Sequence, residues 1–344
     1  MARSFEASQA EFESFPIPPT EEEWKALRAP FYNASLAGCL IENPNSKTGC
    51  EHEYVTLGDV CTEWLKPEEF DIVDEDRAKI FRRGIDMEPY IAMKAEEHLG
   101  VPLRRSLMYR RGVMMATPDY EPHYDAADFD LPPSWGVELK STRTYLRGSI
   151  KRYWWWQCQG QCWSADWEMV HLFALDATLE VQHYEVWRDD DAIRLMMERA
   201  TALVETLEWG ELPAGVQLSA QNVSHMWPKD SGEAAEVGGD IVPLLAEYLE
   251  AHANYKGWEA EKSRLRDRCV AELGPDSVAT VDGVPVFTYQ ASKDVEKVNW
   301  KRMIEENPDL AKRYTETKSG PRTFRPDKRG IATMTRRMDG SEEF

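Results

Sequence analysis

Two short stretches of this chain carry side chains suited to phosphate chemistry. In Val137-Glu138-Leu139-Lys140, an apolar strand pattern, Glu138 and Lys140 project to the same face because side chains alternate every two positions. A single strand thereby sets a carboxylate beside an ammonium. Asp119 closes the preceding strand-like run, Val113-Met114-Met115-Ala116-Thr117-Pro118-Asp119. Two hard oxygen ligands and a cation can then converge where a phosphate would sit, which is what a metal-dependent phosphodiesterase requires. A lone Glu-x-Lys is more often a solvated cross-strand pair, so its neighbours decide its meaning.

Those neighbours must be positioned by helices on either side. Upstream, Ile80, Phe81, Ile85, Ile91 and Met93 predict a helix closed by Gly100, with Pro89 inside it. Glu88 lies one turn from Gly84 on that helix, either approaching a core or facing water. Downstream, Tyr153 to Trp163 reads YWWWQCQGQCW and opens an amphipathic helix. Glutamines in so apolar a run either sit on its wet edge or find buried partners, and Gln157 aimed at a phosphate oxygen or a metal-bound water would have one.

Taken in order, Glu88 in GIDMEP, Asp119 in ATPDY, Glu138 and Lys140 in VELK and Gln157 in WQCQGQ resemble the PD-(D/E)XK nucleases. Within them they resemble the phage-type alkaline exonucleases of the lambda exonuclease and YqaJ viral recombinase group. Trp24, Arg28 and Asn33-Ala34-Ser35 are similar to the opening pattern of that group, and Tyr314 with Lys318 to Phe324 to its closing segment. The resemblance spans residues 24 to 324. It implies an α/β (α+β) core of the restriction-endonuclease-like type, a central mixed sheet flanked by helices. It also implies 5′-to-3′ digestion of linear double-stranded DNA, leaving a 3′ single strand for annealing-type recombination. By the same resemblance, Asp119, Glu138 and the Leu139 carbonyl would hold Mg²⁺ (two ions, with Mn²⁺ able to substitute), and Glu88 would hold a metal-bound water. Lys140 would position or deprotonate the attacking water or stabilise developing charge, and Gln157 would orient the phosphate or a water. Arg28 and Ser35 would grip the 5′-terminal phosphate. A ring-shaped homo-trimer and a single-strand annealing protein are the implied partners, and the source would be a phage or prophage. The chain departs from the group at Tyr120, where many relatives have Gly; Tyr resists positive φ, so the turn there must differ. The residues leave open a non-hydrolytic DNA-end or recombination-complex binding protein on the same fold, and a RecB-like endonuclease or single-strand nuclease.

The reaction itself sets demands that these residues meet. Phosphodiester hydrolysis needs charge neutralised on the non-bridging oxygens, hydroxide near neutral pH and a stabilised leaving alkoxide. Two divalent ions roughly 3.5 to 4 Å apart supply all three. Oxygen ligands favour Mg²⁺, which keeps several waters and takes only one or two carboxylates.

The net charge runs against a DNA partner: 61 acidic and 41 basic residues leave a formal charge of -20. Its distribution is uneven. From Leu139 to Ala165 there is no Asp or Glu, while Lys140, Arg143, Arg147, Lys151 and Arg152 fall inside, so Arg143 and Arg147 are candidate DNA contacts. Arg104, Arg105, Arg110 and Arg111 form a second cluster, and Lys312 to Arg337 a third; each is a DNA patch or a solvated face. The expectation is a basic channel inside an acidic exterior.

With 344 residues, 42% of them hydrophobic, the chain can bury one large core or two modest ones. No run approaches 18 apolar residues and the N-terminus lacks a signal core, so a cytoplasmic protein is expected. The six cysteines contain no C-x-x-C and read as buried small apolar residues; neither an iron-sulfur cluster nor a zinc site fits them. The expected organisation is a flexible acidic arm over 1–23, the nuclease core over 24–240, an extension packed on it over 241–325, and a disordered tail over 326–344. The extension would hold a helix from Pro243 to Leu273, a hairpin turning at Asp282-Gly283, and a short helix opened by Asn307-Pro308.

Overall fold

The computed structural model describes residues 12–67, 75–123, 133–232, 234, 236–281, 284–290, 299–315 and 324–338. Two compact units divide the chain, Met1–Pro228 and Lys229–Phe344. The first unit begins with β1 (Phe12–Phe15), α1 (Glu21–Arg28), β2 (Tyr32–Asn33), a 3₁₀ segment (Ala34–Leu40), α2 (Leu57–Leu65) and α3 (Glu75–Leu99). Four short strands follow, β3 (Leu103–Arg105), β4 (Met108–Arg111), β5 (Met114–Ala116) and β6 (Tyr120–Pro122). The unit closes with β7 (Trp135–Ser141), α4 (Arg152–Ala165), β8 (Met169–Leu175), β9 (Val181–Trp187), α5 (Asp190–Glu208) and α6 (Ala220–Met226).

A five-stranded mixed sheet, ordered β3-β6-β7-β8-β9, carries the motif strand at its centre. Only β7 and β8 run parallel, with Glu138 opposite Leu172, and a parallel pair needs a crossover, which α4 supplies. Alternation along β7 sends Val137 and Leu139 into a cluster with Ile91, Ala92 and Ala95 of α3 and with Phe173 and Leu175 of β8. Glu138 and Lys140 take the other face, under α4. That helix is buried nearly all round, from Trp154 to Ala165, and two close approaches fix it. A Cβ on Gly160 would stand 2.8 Å from the Ala34 Cβ, and one on Gly136 would overlap the Trp167 ring at 1.9 Å.

The expected α/β class, a mixed sheet flanked by helices, is the class found. Several local expectations are corrected. Residues 12–15, placed in a flexible arm, pair with β4 in a second sheet ordered β1-β4-β5-β2. On α3 the buried register is Ile91, Ala92 and Ala95, whereas Ile85 and Met93 are exposed. Gly100 does end that helix, at φ +67°, its N–H bonded to the Glu96 carbonyl. Tyr120 is extended, pairing with Val137 in β6, so no left-handed turn is required of it. Most of the acidic loop, 124–132, lies outside the described residues.

The second unit holds α7 (Ile241–Leu273), β10 (Val278–Val281) paired antiparallel with β11 (Val284–Thr288), α8 (Trp300–Glu306), α9 (Pro308–Tyr314) and α10 (Lys328–Met338). Asp282 and Gly283, the expected hairpin turn, and 316–323, most of the expected closing segment, lie outside the described residues. A disordered tail was expected from 326, yet α10 occupies 328–338, with Ile331 buried and Met334 and Met338 one and two turns further on the same side.

Candidate active site

Glu138 is 3% exposed, and among the described residues its donors come from β7 and α4. Its Oε1 accepts from Gln157 Nε2 and from Lys140 Nζ, both at 2.6 Å. Its Oε2 accepts from Gln161 Nε2 at 2.5 Å. Gln157 and Gln161 reach one carboxylate because residues four apart share a helix face. An ionised carboxylate only accepts, so both amide nitrogens must face it, and the carbonyl oxygens are thereby oriented. The Gln157 Oε1 is taken by Lys140 Nζ at 2.9 Å. Gln161 Oε1 is buried without a partner among the described residues, as is Thr117 Oγ1. Gln157, expected to orient a phosphate or water, is thus engaged at both ends, and the amide oxygen left without a partner belongs to Gln161, which also lines the cleft.

Asp119 sits between β5 and β6, where its Oδ2 accepts from the Leu139 N–H at 2.7 Å. Within an extended strand the N–H and C=O of one residue point to the same edge, so the Leu139 carbonyl faces the Asp119 side. Burial, followed by the neighbouring Glu138 charge, pushes the Asp119 carboxyl well above the usual carboxylate range. Burial works to lower the Lys140 ammonium pKa, but the charges of Glu138 and Asp119 outweigh it, and the net displacement is upward. Two carboxylates in so dry a place favour a cation between them.

A cation fits this donor set. Asp119, Glu138 and the Leu139 carbonyl offer hard oxygens, and Mg²⁺ asks for few protein ligands. Among the described residues no cluster of three or more His, Cys, Asp or Glu side chains could hold a metal, so the remaining positions would fall to water and substrate. Glu88 is near enough for its charge to act on Asp119, but it is paired with Arg105, whose guanidinium also stacks on Tyr120.

A cleft of about 190 Å³ joins this centre to the N-terminal segment; Asp119, Glu138, Gln157 and Gln161 share its walls with Arg28, Asn33, Ser35 and Thr117. Arg28 lies over the Trp24 ring at 3.9 Å and donates from Nε to Asn33 Oδ1 at 2.6 Å. Burial lowers its pKa to about 10, with Glu63 opposing, so it stays cationic at neutral pH. Arg143 and Arg147 are exposed on the loop after β7, outside the cleft walls. The cluster at 104–111 is largely neutralised locally: Arg104 pairs with Glu121, Arg110 with Glu13 and Arg111 with Asp166. Lys151 likewise pairs with Glu53. The basic character near the site therefore rests on fewer side chains than their number in the sequence suggests.

Gln161, Thr117 and Asn33 are polar cleft residues to which the sequence assigned no role. The i, i+4 spacing from Gln157 was the one available signal, for Gln161 only. All described cysteines are free thiols, with Cys158 and Cys162 buried.

The mixed sheet thus brings Asp119 beside Glu138 and Lys140 on its central strand, two carboxylates and an ammonium converging where a phosphate could sit. No protein-family model matches the sequence, and no curated protein matches it. Among solved structures it is similar to the alkaline exonuclease LHK-Exo from Laribacter hongkongensis, at 15% identity and a TM-score of 0.42, over 55% of this chain and 93% of that one. The complex of that protein with dAMP superposes at 0.43, 14% identity and the same coverage. A phage related exonuclease from Haemophilus somnus 129PT gives 0.39 at 14% identity, over 51% of this chain and 92% of that one.

Proposed function

We propose that this chain is a divalent-metal-dependent deoxyribonuclease that degrades linear double-stranded DNA from its 5′ end. The observation that carries the reading is the shared cleft, whose walls hold a half-buried, cationic Arg28 and Ser35 together with Asp119 and Glu138. A terminal phosphate has more charge than an internal one and suits a half-buried guanidinium. With it seated there, the next phosphodiester would fall toward the carboxylates.

Bound Mg²⁺ would neutralise the non-bridging oxygens and acidify a water at the scissile phosphate. The chain's residues do the rest. Asp119 and Glu138 hold the cation, and Gln157 and Gln161 fix the Glu138 plane. Lys140, held in its charged form, balances charge gathering on the phosphorane rather than taking a proton. Gln161 Oε1 accepts from the attacking water and aims it. Arg143 and Arg147 are left for the DNA backbone beyond the cleft. The single-stranded product would suit a strand-annealing partner, and the protein would act inside a cell.

Incubation of linear and closed circular duplexes with Mg²⁺ or EDTA tests this. Loss of the linear form alone, dependent on Mg²⁺ and abolished by Glu138→Gln, is the expected result. Nicking of the circle would contradict the end requirement, and binding without hydrolysis would contradict the enzyme.

A further inference from the structure

The long helix of the second unit meets α10 and, through Tyr248, the Phe324 ring at 5.0 Å, but its middle has little to hold it. α7 is 33 residues long, about 50 Å, yet only Val242 and Leu273, near its ends, are buried among its residues. Helices draw most of their stability from packing one face, and Gly257 in its middle weakens it further. Residues 250 to 260 are all exposed.

Leu245, Leu249, Val270 and Leu273 lie elsewhere on α7, but a line of its apolar side chains through the exposed middle follows a seven-residue repeat. Tyr248 and Tyr255 hold the first position, and Leu244, Trp258 and Leu265 the fourth. Between 250 and 268 every large apolar side chain lies on this stripe; Tyr255, Trp258 and Leu265 are 60%, 74% and 47% exposed. A period of 3.5 keeps a stripe facing a second helix over many turns, which a period of 3.6 does not. Scattered exposed apolar residues need no explanation, whereas aligned ones mark a contact surface.

We propose that α7 pairs antiparallel with α7 of a second copy of this chain. The stripe is its own complement in spacing, and the charges along it select the direction. A parallel, in-register pair would set Lys262 against Lys262 and Glu272 against Glu272 on the seam. Antiparallel pairing sets Lys262 opposite the partner's Ala251, leaving room for its stem, and Tyr255 opposite the partner's Trp258. Along the flanks Glu247 meets the partner's Arg268, and His252 meets the partner's Glu259. This pairing rests on α7 alone and is independent of the proposed reaction.

Sedimentation of the full chain from about 1 to 100 µM tests it. Wild type sediments at an even multiple of the chain mass, two for α7 pairing alone and six where a ring-shaped trimer also forms. Trp258→Glu, at a site too exposed to disturb folding, raises the dimer Kd by more than roughly 30-fold while circular dichroism is unchanged. Cysteine chemistry tests the direction, because Cys269 is the exposed one of the six. Antiparallel pairing holds the two copies of Cys269 about 37 Å apart, and each faces the partner's Leu244. Mild oxidation therefore leaves wild type uncross-linked; Leu244→Cys yields a covalent dimer that an added Cys269→Ser abolishes. A monomer throughout, an oligomer insensitive to Trp258→Glu, or cross-linking of wild type through Cys269 would each overturn the proposal.

Discussion

Replacing Gln161 by Leu separates the two things that this side chain does. The substitution removes the bond from Nε2 to Glu138 Oε2, and a hydrogen bond to a charged group contributes about 1.5 to 3 kcal/mol. It also removes Oε1, a buried acceptor without a partner among the described residues, whose burial costs about 1 to 3 kcal/mol. The two changes nearly cancel. At roughly 2 to 4 °C per kcal/mol for a unit of this size, the melting temperature should stay within about 4 °C of wild type. Metal affinity should not be spared, because Glu138 loses one of the donors that fix its plane, and residues that orient a ligand are typically worth 10- to 100-fold. Gln157→Leu provides the contrast: it breaks bonds to both Glu138 and Lys140 with no orphan relieved, so it should lose about 3 kcal/mol or more. Differential scanning fluorimetry in EDTA and calorimetric titration with Mg²⁺ read the two effects separately. A Gln161→Leu protein that melts more than about 8 °C early and still binds Mg²⁺ like wild type would refute the reasoning.

Three further outcomes follow from burial and charge. Asp119→Asn should raise the melting temperature in EDTA, since the folded protein raises this carboxyl's pKa and so resists ionising it, and it should remove the stabilisation that Mg²⁺ gives wild type; an unchanged apo melting point would argue against the buried like-charge pair. Burial, then the neighbouring His183, holds the His171 pKa down at about 4. The unfolded chain therefore binds the extra proton first, and stability that is full above about 6.5 falls by about 3 kcal/mol as pH drops toward 4; His171→Phe should flatten that part of a pH-stability curve followed by urea unfolding. Gly136→Ala should cost several kcal/mol, because its Cβ would overlap the Trp167 ring and neither the central strand nor a buried indole can yield cheaply; a soluble variant with a wild-type urea midpoint would contradict that packing.

Much of the site could be read from the sequence because it is encoded at short range. The period of two in VELK places Glu138 and Lys140 together, and the apolar run around Gln157 marks a helix, although one expected to be amphipathic and found buried nearly all round. The α7 span and the hairpin strands were legible for the same reason, as continuous local patterns. What escaped depends on contacts between distant segments. Nothing local to Phe12–Phe15 announces that it will pair with β4. The arginines at 104, 105, 110 and 111 look like a DNA patch until Glu121, Glu88, Glu13 and Asp166 are found beside them. Which glutamine keeps an unpartnered oxygen could not be decided either, since Gln157 and Gln161 share one helix face and only the Lys140 contact tells them apart. Ile85 and Met93 suggested a stripe by type, yet the register that packs uses Ile91 with two alanines, because α3 approaches the sheet closely there.

The central claim is that a grip for a terminal phosphate and a metal-binding carboxylate pair share one cleft. Initial rates of Mg²⁺-dependent digestion on linear duplexes carrying 5′-phosphate or 5′-hydroxyl ends, for wild type and Arg28→Gln, test it most directly. The account predicts that wild type prefers the phosphorylated end by tenfold or more, the equivalent of about 1.4 kcal/mol, and that Arg28→Gln loses the preference while still degrading both substrates slowly. Equal wild-type rates on the two ends, or a preference that survives Arg28→Gln, would contradict it.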